Sequence, residues 1–132
     1  MTVLKPGELL TAIRIPATWA GAQFYFEKIR DRPVWDFPLV NIAAATVVSG
    51  DKIERIRIAV NGVAAHPVRL SQVEAAIQGK PRNEATADMA GKMALVGAEP
   101  LKHNGYKVPL MRNLVKRAIR GVPGAETQSA KA

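Results

Sequence analysis

The sequence contains no cysteine, which excludes a disulfide framework, a thiolate-held zinc or iron–sulfur site within the chain, and any thiol chemistry. Histidine is nearly absent as well. Only His66 and His103 occur, far apart in sequence, so a histidine metal cage is not expected. No apolar run approaches the roughly 18 residues that cross a bilayer, and Met1 to Glu8 lacks the basic start, apolar middle and small-residue cleavage site of a signal peptide. The Gly-x-Gly-x-x-Gly dinucleotide turn, the P-loop, the Gly-x-Ser-x-Gly elbow and any internal repeat are missing too. Acidic residues are scarce where basic ones gather. None falls between Glu99 and Glu126, an interval that holds Lys102, Lys107, Arg112, Lys116, Arg117 and Arg120 in a chain of net charge +8. A nucleic-acid surface interleaves aromatics for stacking, and Tyr106 is the only aromatic there. A solvated helix face, or a patch that docks on an acidic partner, fits the pattern better, and neither nucleic acid nor membrane is expected as a partner.

What is present suits one α+β domain. The 132 residues are 48% hydrophobic and 23% charged, enough to bury a real core. Alternation predicts strands over 9–15 (Leu9, Ile13 and Ile15 on one face), 22–30 (Phe24 and Phe26 opposite Gln23, Tyr25 and Glu27) and 53–60 (Ile56, Ile58 and Val60 inward). The nearly continuous apolar run 39–48 predicts a central strand, covered on both faces or tightly on one, and Ser49-Gly50-Asp51-Lys52 joins it to the next strand as a hairpin. The 31–38 stretch reads as a loop. Ser71 and Glu74 have capping-box spacing for a short helix stopped by Gly79-Lys80-Pro81. A second helix is expected over 84–96, with Ala85, Met89, Met93 and Val96 in one stripe. The third, over 109–120, turns Leu110, Leu114, Val115 and Ala118 inward and Arg112, Lys116 and Arg120 to water. This is an antiparallel sheet of three or four strands followed by three helices on one face. It occupies residues 1–120, with a disordered tail expected over 121–132.

Taken singly, the polar residues announce no catalytic site. Asp31 and Asp36 are a candidate carboxylate pair, but loop acids are more often solvated or ion-paired. His66 reads as structural or exposed, and Asn61-Gly62 as a turn. Lys28 ends the strand on the face that carries Phe24 and Phe26. There it can snorkel over the rings, or present its cation to a phosphate or an electron-rich flavin edge.

A longer pattern runs through these pieces. It comprises Leu4-Lys5-Pro6-Gly7-Glu8-Leu9-Leu10-Thr11-Ala12-Ile13-Arg14-Ile15-Pro16, the aromatic strand from Tyr25 to Lys28, Arg32, and Asp36-Phe37-Pro38-Leu39-Val40. It continues through Ile56 to Ala59, Gly62-Val63-Ala64, Pro67, Arg69 and the Glu74 to Gly79 helix end, and closes with Pro100-Leu101, Tyr106 to Leu110 and Asn113 to Ala118. Together these resemble the C-terminal domain in the flavoprotein subunits of the xanthine dehydrogenase and carbon monoxide dehydrogenase family, the molybdenum hydroxylases. Within it, Tyr106 to Ala118 is most similar to flavin subunits of bacterial aldehyde oxidoreductases.

The resemblance implies an oxidoreductase component that helps enclose FAD. Electrons would arrive from a molybdenum cofactor through iron–sulfur clusters on partner subunits and leave to an external acceptor. It implies FAD contacts at Leu10, Lys28 and Asp36, with the Arg30–Pro38 loop near the isoalloxazine ring. It implies no catalytic residue and no metal ligand in this chain. The glycine-rich stretches that hold the FAD diphosphate in the family lie N-terminal to this domain and are missing here. The chain is therefore expected to be a fragment or one domain of a longer subunit, inactive alone. Its compartment is expected to be cytoplasmic, or periplasmic if a sister subunit carries an export signal. The competing reading is a stand-alone module of the same fold that binds a protein or an acidic polymer.

Overall fold

A computed structural model describes residues 3–33 and 35–121. The expected tail lies outside them apart from Gly121. Four antiparallel strands form one sheet in chain order, β1 (Gln23–Ile29), β2 (Val40–Ser49), β3 (Lys52–Asn61) and β4 (Val68–Arg69). Three helices follow, α1 (Ser71–Ile77), α2 (Glu84–Met93) and α3 (Lys107–Arg120). The expected α+β architecture is therefore present.

The β2–β3 hairpin is the centre. Ser49 pairs with Lys52, leaving Gly50-Asp51 as a two-residue turn in which Gly50 takes a positive φ of 61°, the conformation glycine adopts without a Cβ penalty. Val40, Ile42, Ala44 and Thr46 of β2, with Ile53, Ile56, Ile58 and Val60 of β3, are buried on one face. Each fully buried aliphatic side chain contributes about 1.5–3 kcal/mol. On the other face Ala43 is exposed and Asn41 and Ala45 half-exposed, so β2 is covered on one face only.

The helices lie on the buried face, α3 over β2 and reaching β1, α1 over β3, and α2 against α3. In α3, Met111, Leu114, Val115, Ala118 and Ile119 are buried, a spacing that keeps one stripe inward. Pro109 sits in the first turn, where its missing N–H costs nothing. Ala87, Ala90, Gly91 and Ala94 are the buried small residues of α2 and its C-cap. A Cβ on Gly91 would stand 3.0 Å from Lys116 Cγ, so the α2–α3 contact requires small residues there.

Several expectations need correction. The 9–15 segment is not a strand. It makes no ladder, and Leu9, Leu10, Ile13 and Ile15 are exposed. The fourth strand is instead Val68–Arg69, too short for a periodic pattern to reveal. Ser71 and Glu74 form no capping box. Leu70, which has no polar side-chain atom, is the N-cap, and the Glu74 carboxylate is engaged with the sheet. The second helix ends at Met93, three residues early, so Val96 lies beyond it and is exposed; within the helix Ala85 is exposed too, because the buried face is Thr86, Ala87, Ala90 and Gly91. Lys116 does not face water. Its side chain is 16% exposed and bonds Glu84 at 2.9 Å and also Asp88.

Candidate functional site

β1 and β2 are joined by the 30–38 loop, whose ends are held together where the Leu39 N–H donates to the Ile29 carbonyl at 2.8 Å. The loop stands off the sheet margin and forms a cleft of about 550 Å³ with the end of β1, lined by Lys28, Arg30, Pro33, Trp35, Asp36, Phe37 and Pro38. Trp35 and Phe37 are almost fully exposed. Such rings cost hydrophobic free energy when left in water, and they give the cleft flat apolar surfaces. Asp36 fixes the loop locally. Its Oδ2 accepts from Arg32 Nε at 3.4 Å and its Oδ1 from the Phe37 N–H at 3.1 Å. It therefore serves as half of an ion pair with Arg32.

Two of the expected site residues, Lys28 and Asp36, line this one cleft. The third, Leu10, does not. It lies in the exposed N-terminal arm, outside the cleft. Asn41, which carried no signal in the sequence, pairs with Lys28 across the strands. Its Oδ1 is buried and has no hydrogen-bond partner among the described residues. An orphaned buried acceptor is costly and points to a missing donor. Trp35 and Phe37 were legible only as part of a loop. Two large aromatics in a polar, proline-broken segment were the available signal.

A second polar cluster lies at β4. The Glu74 carboxylate is 4% exposed. It accepts from the Ile58 N–H at 2.9 Å and from Arg69 Nη2 at 2.8 Å, with Arg57 Nη1 at 3.4 Å. Burial pushes its carboxyl up, but the hydrogen bonds from Arg69 and Ile58 and the charges of Arg69 and Arg57 outweigh this and hold it below the usual carboxylate range. Tyr25 is shifted the other way. Burial raises its phenol well above the ordinary value, helped by its hydrogen bond to Glu27. Both clusters hold structure and present no reacting group.

The basic stretch is largely used inside the molecule. Lys116 and Arg120 bond Glu84, Lys116 bonds Asp88, Arg117 bonds Glu27, and Lys107 Nζ donates to the Gly62 carbonyl at 2.6 Å. His66 is exposed, with Nδ1 3.2 Å from its neighbour's carbonyl. No group of three or more His, Asp or Glu side chains able to hold a metal occurs among the described residues. No helix among them is long and apolar enough to cross a membrane.

Residues 24–122 match the family model of the CO dehydrogenase flavoprotein C-terminal domain. Among curated proteins, the chain is 31% identical over 125 residues to the glyceraldehyde dehydrogenase medium chain of Sulfolobus acidocaldarius, covering 92% of this chain and 44% of that one. It is 32% identical over 119 residues to the aldehyde oxidoreductase FAD-binding subunit of Escherichia coli, covering 89% and 34%. Among solved structures, the carbon monoxide dehydrogenase from Hydrogenophaga pseudoflava superposes with a TM-score of 0.80 at 31% identity, covering 90% of this chain and 42% of the matched one. The chain thus spans less than half the length of these relatives.

Proposed function

Because the chain belongs to the CO dehydrogenase flavoprotein C-terminal domain family, we propose that it forms the C-terminal domain of an FAD-binding subunit in a molybdenum hydroxylase. In this reading, residues 1–120 are that domain and its 30–38 loop closes over one edge of the flavin. The observation that carries it is the convergence of Lys28, Asp36 and two exposed aromatics on one cleft, beside the unpartnered acceptor of Asn41.

The donor set fits a flavin ring edge. An isoalloxazine offers carbonyl oxygens, an N–H and a broad apolar face. Lys28 supplies a cation for the carbonyl edge, Asn41 an acceptor for the N–H, and Trp35 and Phe37 an apolar wall. The same residues do not fit the diphosphate, which needs a nest of backbone N–H groups or a helix N-terminus. FAD would therefore be held mainly by a preceding domain, which this chain does not include. Leu10, on the arm, is a proposed contact only in such a longer protein.

Bound FAD supplies the redox chemistry. Electrons would come from a molybdenum cofactor by way of iron–sulfur clusters on partner subunits and pass to an external acceptor. This chain's residues position, shield and set electrostatics. The Lys28 cation stabilises negative charge at the ring edge. Asp36 holds Arg32 and the Phe37 backbone, and so the loop. Trp35 and Phe37 keep water from the covered edge. Alone, the chain would be catalytically inactive.

The test is the flavin spectrum of this chain joined to the FAD-binding portion of a family member. We expect a yellow protein in which Lys28→Ala weakens FAD binding about tenfold, or ~1.4 kcal/mol, and lowers the flavin's reduction potential. A colourless protein, or a Lys28→Ala variant identical in affinity and potential, overturns the reading. The alternative, a stand-alone module for an acidic polymer, draws little support, because Lys107, Lys116, Arg117 and Arg120 already have partners within the chain.

A further inference from the structure

The turn that follows β3 abuts the root of the cleft loop. Gly62 takes a positive φ of 78° there, and a Cβ on it would stand 2.9 Å from the Leu39 carbonyl oxygen and 3.3 Å from that of Pro38. The Gly62 backbone therefore lies against the Pro38–Leu39 peptide. That peptide is where the 30–38 loop rejoins the sheet: Pro38 lines the cleft, and the Leu39 N–H closes the loop on Ile29. One residue before Gly62, Asn61 pairs with Asn41, which pairs in turn with Lys28. Loop root and strand end, the two sides of the cleft, are thus both tied to this turn.

The turn is itself held from α3. Lys107 is the first residue of that helix, and its Nζ donates to the Gly62 carbonyl at 2.6 Å, across 45 positions of sequence. The placement does nothing for the helix alone. A cation in the first turn opposes the macrodipole, and no acidic residue offsets it there. Among the described residues, no carboxylate lies within ion-pairing distance of Lys107 either. What the ammonium gains is the Gly62 carbonyl, in a charge-assisted bond shorter and stronger than a neutral one. The base from which it reaches is fixed. The Lys107 N–H donates to the Asn104 carbonyl at 3.0 Å, and Asn104 Oδ1 accepts the Leu101 N–H at 2.6 Å. The buried side chains of Met111, Leu114 and Val115 hold the helix on β2.

Resting on the reading of the cleft as a flavin-edge site, we propose that Lys107 is a positioning residue for that cleft. Through the Gly62 carbonyl, its ammonium fixes the root of the 30–38 loop and the neighbouring Lys28–Asn41 pair. Lys107 itself stays away from the ring. It lines a separate recess of about 80 Å³, with Val63, Pro100 and Asn104, that shares no residue with the cleft. Its effect on the flavin therefore passes through Lys28 and the loop, by setting where they stand and how freely they move.

Residue-resolved hydrogen exchange in the full chain tests the link without any flavin. Lys107→Met keeps the length of the side chain and removes its donors. The Leu39 amide, bonded to Ile29, should then exchange about tenfold faster. The Ile53 amide, bonded to Lys80 at the other end of the sheet, should keep its rate. Lys107→Arg, which restores a cationic donor, should keep Leu39 protected. Lys102→Met removes the same charge from the exposed loop before α3 and should leave both amides unchanged. Equal Leu39 rates in Lys107→Met and the unaltered chain overturn the proposal. So does a parallel rise at Leu39 and Ile53, or a variant that no longer folds, either of which marks a residue that only stabilises the fold. The second measurement uses the chain joined to the FAD-binding portion of a family member. There Lys107→Met should weaken FAD binding about threefold and lower the flavin's reduction potential. In a Lys28→Ala background it should lower the potential no further, because Lys28 is the cation it positions. A potential that Lys28→Ala moves and Lys107→Met does not, or effects of the two that add in full, overturns the positioning role and leaves the flavin reading standing. A colourless fusion sinks the flavin reading alone, and the exchange of Leu39 then decides whether Lys107 positions the cleft.

Discussion

Glu74 is an acid placed where a charge is costly, and its partners explain why it stays charged. Its carboxylate takes the Ile58 N–H on β3, a donor that β4, only two residues long, leaves to a side chain. Removing the carboxylate orphans that buried N–H and leaves Arg57 and Arg69 without their shared anion. Glu74→Ala is therefore expected to cost on the order of 2–3 kcal/mol in urea unfolding at neutral pH. The pH dependence has a definite sign. The unfolded chain carries this carboxyl near its ordinary value of 4.5, and the folded chain holds it lower. As pH falls through 4.5 the unfolded state takes up a proton first. The stabilisation is thus complete above that value and is lost progressively down through the folded one. Glu74→Gln should flatten stability between neutral and acid pH relative to wild type; an unchanged slope would mean that other carboxyls govern acid unfolding. Gly62 is constrained sterically. Its φ is +78°, and a Cβ would stand 2.9 Å from the Leu39 carbonyl oxygen. Gly62→Ala should lower stability by at least about 1 kcal/mol, read from the thermal midpoint.

Among the elements, α2 shows most directly how a local signal becomes stability. Asn83, in extended conformation, accepts the Thr86 N–H at 3.0 Å, so Asn83→Ala should cost about 1 kcal/mol in chemical denaturation. A cost near zero would mean water caps the helix equally well. The β2–β3 hairpin and α3 were readable because their burial patterns have the periods of their own secondary structure. The 9–15 segment has the same alternation but no ladder. Period 2 records that a chain fits half-buried on a sheet, and it does not say which sheet supplies the partner. Val68–Arg69 escaped because two residues have no period. The Ser71–Glu74 spacing misled because Arg69 and Ile58, five and sixteen residues from Glu74, compete for its carboxylate, and local spacing cannot register a partner across the sheet. Lys28 could be placed at the end of a strand beside its phenyl neighbours, and the loop as a loop. That Lys28 and Asp36 share a cleft with Trp35 and Phe37 depends on how the loop folds back over β1, which no periodicity encodes. Leu10 had only its resemblance to support it.

At the scale of the molecule, the core of the described residues lies downstream of the arm. Every buried apolar side chain among them, from Val40 to Ile119, belongs to β2, β3, the helices or their flanks, with Tyr25 and Ile29 of β1 packed against them. Trp19 of the arm packs on Arg55 and Arg57, a contact worth about 0.5–1 kcal/mol at a partly exposed site. Removing residues 1–18 should therefore leave urea stability almost unchanged, and removal through Trp19 should lower it by no more than about 1 kcal/mol. The slope of unfolding against denaturant provides an independent check, since it scales with the surface newly exposed. Residues 3–18 are already exposed, so the slope should hold. Truncation before α3 should instead abolish the cooperative transition, because Met111, Leu114, Val115, Ala118 and Ile119 cover β2. A shortened chain that loses both stability and slope with the arm alone would mean that the arm packs on the domain in solution. The alternating apolar residues Leu9, Ile13 and Ile15 would then belong to this core and would not be free to meet a preceding domain.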